Sequence, residues 1–261
     1  MSPEPVRNHF VHRTAAERYQ RHRPYFHPRI IELVRARLAL AQPLPRALDV
    51  GCGTGQSAVA LRAIAAEVTA TDISEAMLAS APAADGIRYV CAPAEQLPFA
   101  AASFPLVTVS MAFHWFDRPR FLAEAARVLE PGGWLILYGY HFTKLMAGVP
   151  AFTAWIEGAY QARFPLTPRH GEPVSEADLA PHGLVLTDRS DFTDYRPYSA
   201  EAYADSMLTH SNVIARIESG AESLESARAW LRAGLAPFFD GVASRDFGFA
   251  GWISWVRKPA G

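Results

Sequence analysis

The chain has 261 residues, half of them hydrophobic, which is sufficient for the core of one α/β domain with insertions. Its 25 Lys and Arg residues balance 26 Asp and Glu residues without a long basic run, which excludes the charge pattern of a nucleic-acid-binding protein. Residues 1–8 lack the apolar core of a signal peptide, residues 134–140 are too few to span a bilayer, and two cysteines exclude a disulfide framework, so we expect a cytoplasmic protein without membrane contact.

The first half of the chain predicts alternating helices and strands. Pro28 suits the first turn of a helix, Ser74 suits the N-cap of another, and Asp117 precedes a third, which Pro131-Gly132-Gly133 is expected to end. Repeated βα units predict a parallel sheet covered by helices on both faces. The predicted segments are a helix at 28–38, a strand at 47–50, a helix at 56–66, a strand at 68–71, a helix at 74–80, strands at 87–91 and 106–111, a helix at 118–129 and a strand at 134–140.

The second half is less regular. Prolines interrupt residues 141–178 around one helical stretch near 151–164, residues 199–239 predict further helices, and strands are predicted at 184–191 and 247–256. We interpret residues 141–183 and 199–244 as insertions over the carboxyl ends of the strands, where open α/β sheets bind ligands. The whole chain, 1–261, is therefore predicted to be one domain.

The most specific pattern is Leu48-Asp-Val-Gly-Cys-Gly-Thr-Gly55, in which three glycines follow a predicted strand and precede a predicted helix. Glycines at such a turn let the backbone approach a ligand that a Cβ would keep away. Asp72 ends the next strand, and its carboxylate can accept hydrogen bonds from both hydroxyls of a ribose. Alternatively, the glycines serve only the turn and Asp72 only caps the next helix. The pattern also leaves the cofactor open, because residues 53–58 fit the loose G-x-G-x-x-A of dinucleotide sites.

Further segments resemble a known protein family, and this resemblance favours S-adenosylmethionine over NAD as the cofactor. The block Asp49-x-Gly51-x-Gly53-x-Gly55 resembles motif I of the class I S-adenosylmethionine-dependent methyltransferases. Residues 72–78 and 92–99 resemble the second and third motifs of this family, and residues 103–109 and 131–133 match later landmarks in order. The resemblance covers residues 14–140 well and the remainder only in layout. It implies an α/β, Rossmann-like three-layer sandwich with a mixed, mostly parallel seven-stranded sheet and helical lid insertions, in which residues 1–140 form an N-terminal lid and the cofactor-binding half.

The resemblance also implies that S-adenosyl-L-methionine binds at the carboxyl edge of the sheet and leaves as S-adenosyl-L-homocysteine. Ala94 and Glu95 would flank the adenine, whereas Tyr19 and Arg23 would contact the methionine half, with Arg23 paired to its carboxylate. Alternatively, Met77 belongs to the core, Glu95 to a solvated loop and Arg23 to the surface. The predicted cofactor contacts are Tyr19, Arg23, Asp49, Gly51, Gly53, Thr54, Gly55, Asp72, Ile73, Met77, Ala94, Glu95 and Ser110. No metal site is predicted.

The methyl acceptor is predicted to be a small molecule, and O-methylation is favoured. Residues 110–117 lack the Asn/Asp-Pro-Pro-aromatic motif and the Pro-Cys pair of nucleic-acid methyltransferases, and together with residues 19–24 they resemble small-molecule enzymes of the trans-aconitate and quinone-biosynthesis type. His114 and His141 follow the fourth and fifth strands and are candidate general bases, because an unshifted imidazole titrates near pH ~6.5. Alternatively, His114 anchors a loop, and a carboxylate or thiolate acceptor needs no base.

Three questions stay open at this point. Aromatic residues between 138 and 160 indicate either an apolar acceptor pocket or ordinary core. An NAD-linked oxidoreductase and a non-catalytic protein that binds S-adenosylmethionine are the rival functions. The protein is expected to be a monomer or a homodimer.

Overall fold

A computed structural model describes residues 25–166 and 173–260. The predicted cofactor contacts Tyr19 and Arg23 lie outside the described residues. The chain divides into two compact units. Within the described residues, the first unit comprises 25–139, 173–190 and 252–260, and the second comprises 140–166 and 191–251.

The strands are β1 Leu44–Val50, β2 Ala65–Asp72, β3 Ile87–Cys91, β4 Phe104–Ser110, β5 Leu129–Met146, β6 Val185–Tyr198 and β7 Arg245–Arg257. They form one seven-stranded sheet in the order β3-β2-β1-β4-β5-β7-β6. The first five of these strands pair in parallel. Backbone hydrogen bonds join Gly132 to Lys258 and Ala147 to Asp246, so β7 runs antiparallel to β5. This confirms the predicted mixed, mostly parallel α/β sheet.

The helices are α1 His27–Arg37, α2 Gln56–Leu61, α3 Glu75–Ala79, α4 Arg118–Val128, α5 Pro150–Trp155, α6 Gln161–Arg163, α7 Glu176–Leu179, α8 Ala200–Met207, α9 Ser211–Glu218 and α10 Leu224–Phe239. Ser74 caps α3 by accepting a hydrogen bond from the Met77 amide at 3.3 Å, as predicted. Asp117 caps α4 in the same way through the Arg120 amide at 3.2 Å. In the part of the chain that the structure describes, no helix has both the length and the apolar character needed to cross a membrane.

Several predicted boundaries are wrong. The helix predicted at 56–66 ends at Leu61, because β2 starts at Ala65 and pairs with β1. Pro131-Gly132-Gly133 does not follow a helix end directly but forms a bulge inside β5, where the register with β4 shifts and Gly132 has φ +77°. Strands β5 and β6 also extend beyond their predicted ends, to Met146 and Tyr198.

Each unit has its own packed interior. The core of the first unit lies between the sheet and α4, and it includes Leu48, Val107, Val109, Phe121, Leu122 and Leu137. The core of the second unit is mainly aromatic: Phe152 packs against Tyr203 and Phe247, with ring centroids 6.0 and 5.4 Å away. Tyr203 and Phe247 stack at 3.6 Å.

Candidate functional site

The turn between β1 and α2 has a conformation that favours glycine. Gly51, Gly53 and Gly55 have φ angles of +69°, +55° and +79°. A Cβ at Gly51 would lie 2.6 Å from the Cβ of Ala112, and one at Gly55 would lie 2.5 Å from the hydroxyl of Tyr89. Gly51 and Gly55 therefore have no room for a side chain, and all three positions have a backbone conformation that favours glycine.

Asp72 lies at the tip of β2 beside this turn. One carboxylate oxygen accepts a hydrogen bond from the Gly53 amide at 2.8 Å, and the other accepts one from the Ser74 amide at 2.8 Å. Burial raises the pKa of Asp72, and these backbone hydrogen bonds oppose that rise. An ionised carboxylate has about four lone-pair sites, so hydrogen-bonding capacity remains for a ligand. Ser74, rather than Asp72, is the N-cap of α3.

Asp49 faces the interior. It is fully buried, and its carboxylate accepts hydrogen bonds from the hydroxyls of Ser57 and Thr108. Burial raises its pKa to about 6, although both hydroxyls lower it. These hydrogen bonds join β1 to α2 and to β4. Asp49 therefore fixes the strand and the helix between which the glycine turn lies.

Of two apolar residues predicted to contact the cofactor, one is exposed and the other is buried. Ile73 follows Asp72 and is 63% exposed, which is unusual for a side chain of its size and type. Met77 is buried, and its terminal methyl would lie 3.2 Å from a Cβ at Gly53. The burial of Met77 favours the alternative of a core residue, whereas Ile73 presents an apolar side chain at the surface.

The third motif connects two loops. Ala94 is buried, and the carboxylate of Glu95 accepts a hydrogen bond from the Asp117 amide at 2.9 Å. Glu95 thus ties the loop after β3 to the start of α4. It is not an isolated solvated charge.

Three hydroxyls at the carboxyl edge of the sheet are buried without a hydrogen-bond partner among the described residues. They belong to Thr54 in the turn, Thr71 near the end of β2 and Ser110 at the end of β4. A buried hydroxyl without a partner costs roughly 1–3 kcal/mol. A polar ligand at this edge would remove that cost.

The two candidate bases lie in different units. His114 lies in a one-turn 3₁₀ helix, Phe113–Trp115, with its ring centroid 4.6 Å from that of Trp115. His141 lies on β5 in the second unit and is exposed. Desolvation lowers the pKa of His141, and the charge of Asp191 opposes that effect.

Most of the aromatic residues predicted to line an acceptor pocket have packing roles. Phe142 contacts Phe152 with ring centroids 5.9 Å apart, and the Tyr160 hydroxyl lies 2.9 Å from Nδ1 of His210. Tyr140 stacks on Phe249 at 5.0 Å. These contacts favour the alternative of an ordinary core.

Sequence reasoning missed one buried polar pair, His27 and Tyr138. The Nδ1 atom of His27 lies 3.2 Å from the phenolic oxygen of Tyr138, and both residues are buried. The two residues are 111 positions apart, and no motif includes either of them. The only sequence signal was a histidine directly before the predicted helix start at Pro28.

Comparison with known proteins shows what this part of the chain resembles. Residues 48–137 match a family model described as a methyltransferase domain. This confirms, for that part of the chain, the predicted resemblance to the class I S-adenosylmethionine-dependent methyltransferases.

Several individual proteins similar to this chain are also described as methyltransferases. A malonyl-[acyl-carrier protein] O-methyltransferase of Methylococcus capsulatus is 44% identical over 36% of this chain and 37% of its own length. The same enzyme of Enterobacter lignolyticus is 41% identical over 51% of each chain. A demethylmenaquinone methyltransferase of Clavibacter sepedonicus is 41% identical over 35% of this chain and 40% of its own. The matches thus span about half or less of these relatives.

One solved structure matches over most of its length. A protein of Anaeromyxobacter dehalogenans, provisionally described as a type II methyltransferase, is 26% identical, has a TM-score of 0.67, and is aligned over 87% of this chain and 94% of its own.

Proposed function

We propose that this protein is an S-adenosylmethionine-dependent methyltransferase that acts on a small molecule. The observation that carries the proposal is the contact between the glycine-rich turn 51–55 and the carboxylate of Asp72, whose oxygen lies 2.8 Å from the Gly53 amide nitrogen. This arrangement offers bare backbone and a carboxylate to one nucleoside at the carboxyl edge of a parallel sheet.

The residues at this edge fit such a ligand. The remaining lone pairs of Asp72 suit the two ribose hydroxyls, and exposed Ile73 suits the face of the adenine. The hydroxyls of Thr54, Thr71 and Ser110, which have no hydrogen-bond partner within the described part of the chain, would gain polar neighbours from a ligand at this edge. Glu95 and Ala94 shape the adjacent loop.

The bound cofactor supplies a methyl group that a sulfonium charge has already activated. The protein then has to align the acceptor with that methyl group and exclude water, and alignment contributes roughly 7–11 kcal/mol in favourable cases. The insertions 141–183 and 199–244 are proposed to supply this cover. His114 is proposed to take a proton from an acceptor hydroxyl, and His141 is the second candidate.

Two kinds of acceptor follow from the relatives. The names of the Methylococcus and Enterobacter relatives specify O-methylation of a malonyl group on a carrier protein, and the name of the Clavibacter relative specifies a demethylmenaquinone. The O-methylation in the names of the Methylococcus and Enterobacter relatives favours an oxygen nucleophile for this chain.

Calorimetry with S-adenosylhomocysteine and with NAD tests the cofactor class. We expect micromolar binding of S-adenosylhomocysteine and none of NAD, whereas the reverse result would favour an oxidoreductase. A panel of carboxylic acids, phenols, quinols and amines, screened for release of S-adenosylhomocysteine, then tests transfer. Cofactor binding without product from any acceptor would favour the non-catalytic alternative.

A further inference from the structure

The sheet order determines where the two halves of the proposed cofactor lie. Neighbouring strands are about 4.8 Å apart. With the ribose at Asp72 on β2, a ligand that crosses β1 reaches the end of β4 with its other half. The residue at that end is Ser110, and its partner in the register with β5 is Tyr138.

Ser110 has unused hydrogen-bonding capacity. It is 9% exposed, and its hydroxyl makes no hydrogen bond of acceptable geometry with the described residues. Ser110 lies beside Tyr138 in the register of β4 with β5, and its hydroxyl opposes the rise in the pKa of the Tyr138 phenol that burial causes. A small shift would therefore let Ser110 bond to Tyr138 on one side and to a ligand on the other.

His27 contacts the hydroxyl of Tyr138. Nδ1 of His27 is 3.2 Å from the phenolic oxygen, and the imidazole is buried against the ring of Phe26, with centroids 4.3 Å apart. Burial, reinforced by the charge of Asp49, raises the pKa of the Tyr138 phenol well above its usual range. The phenol therefore remains neutral, with a donor and an acceptor on one oxygen.

The backbone at this point is strained. Met111, directly after Ser110, has φ +55°, which is uncommon for a residue other than glycine. The Met111 amide donates a hydrogen bond to the Tyr138 carbonyl at 3.0 Å, so the main chain of Tyr138 fixes the residue that follows Ser110. Strain of this kind concentrates at functional sites.

We propose that Tyr138, held by His27, is a positioning residue that aims the Ser110 hydroxyl at the amino-acid end of the cofactor. The inference rests on the proposed function and adds to it a specific polar line, His27–Tyr138–Ser110, for the half of the ligand that Asp72 does not reach. The adenosine half is independent of this line.

Two ligands separate the halves. S-adenosylhomocysteine carries the amino-acid end, and 5′-methylthioadenosine lacks it. We expect Tyr138→Phe and Ser110→Ala to weaken binding of S-adenosylhomocysteine at least fivefold and to leave 5′-methylthioadenosine within twofold. Tyr203→Phe is the matched control, because Tyr203 is equally buried and its hydroxyl has no partner among the described residues; it should change neither affinity.

A double-mutant cycle tests whether Tyr138 acts through Ser110. We expect Tyr138→Phe combined with Ser110→Ala to bind S-adenosylhomocysteine no more weakly than Ser110→Ala alone. His27→Gln should reproduce part of the Tyr138→Phe loss. Equal losses for both ligands, unchanged affinities, or additive effects in the double variant would each overturn the inference. If the wild type binds neither ligand, the proposed function itself fails.

Discussion

Asp72 is the single side chain on which the proposed binding mode depends most. Replacing it with Ala removes two ribose hydrogen bonds and also frees the amides of Gly53 and Ser74. We expect the Kd for S-adenosylhomocysteine, measured by calorimetry, to rise at least tenfold, which is about 1.4 kcal/mol.

Asp85→Ala is the control, since Asp85 is an exposed carboxylate in the loop before β3. It should leave that Kd unchanged. An unaltered Kd in Asp72→Ala would remove Asp72 from the site.

His114 is a residue whose role is separable from binding. If it is a general base, His114→Ala lowers kcat at least tenfold with the acceptor found in the panel, while the Kd for S-adenosylhomocysteine stays within twofold. The same comparison for His141→Ala distinguishes the two candidates. Full turnover in His114→Ala would leave this residue a loop anchor.

Features of single residues were predictable from the sequence where they depend on the residue's own conformation. The glycine positions were predictable because positive φ and the absence of a Cβ are properties of single residues. The nearness of Asp72 to the turn followed from the common edge at which parallel strands end. The inward direction of Asp49 was not predictable, because the last four residues of β1 are all buried and show no alternation. The His27–Tyr138 pair depends wholly on tertiary packing.

Among the elements, the turn between β1 and α2 is the most constrained. Gly55→Ala places a Cβ 2.5 Å from the Tyr89 hydroxyl and keeps a left-handed backbone. We expect it to lose more unfolding free energy than the roughly 1–2 kcal/mol of the backbone alone, measured in urea, and to weaken cofactor binding more than tenfold.

Gly148→Ala separates strain from contact. Gly148 has a similar φ of +70° with no atom within 4 Å of an added Cβ. It should therefore lose only the backbone contribution and bind the cofactor normally. Equal losses in the two variants would show that the contact with Tyr89 does not matter.

The element boundaries that failed did so for tertiary reasons. Residues 62–66 have good intrinsic helix formers, but β2 must start at Ala65 to pair with Leu44, and the guanidinium of Arg62 binds the carbonyls of Ala65 and Ala66. The Pro-Gly-Gly segment was predicted to end the helix, but it lies inside β5. Its place inside a strand depends on the register with β4, which the local sequence does not contain.

For the whole molecule, the buried Asp49 makes stability depend on pH. Its folded pKa of about 6 lies above the ordinary value of 3.8, so between these values the folded protein binds the proton more tightly than the unfolded chain. This contribution falls as pH rises from about 4 and is lost above about 6. It amounts to about 3 kcal/mol at most, because a pKa difference of one corresponds to about 1.4 kcal/mol.

Asp49→Asn isolates this effect. Between pH 4 and 7, the unfolding free energy of the wild type should decrease relative to that of the variant, as measured by urea titrations at each pH. Carboxylates such as Glu124 and Asp178, whose pKa values are lowered, act in the opposite direction in both proteins and cancel in the difference. Parallel curves for the two proteins would contradict the assignment.

The most direct test of the central claim is a crystal structure of the protein with S-adenosylhomocysteine. We expect both ribose hydroxyls to lie within hydrogen-bond distance of the Asp72 carboxylate and the nucleoside to contact the backbone of residues 51–55. A nucleoside bound at any other place on the protein would contradict it.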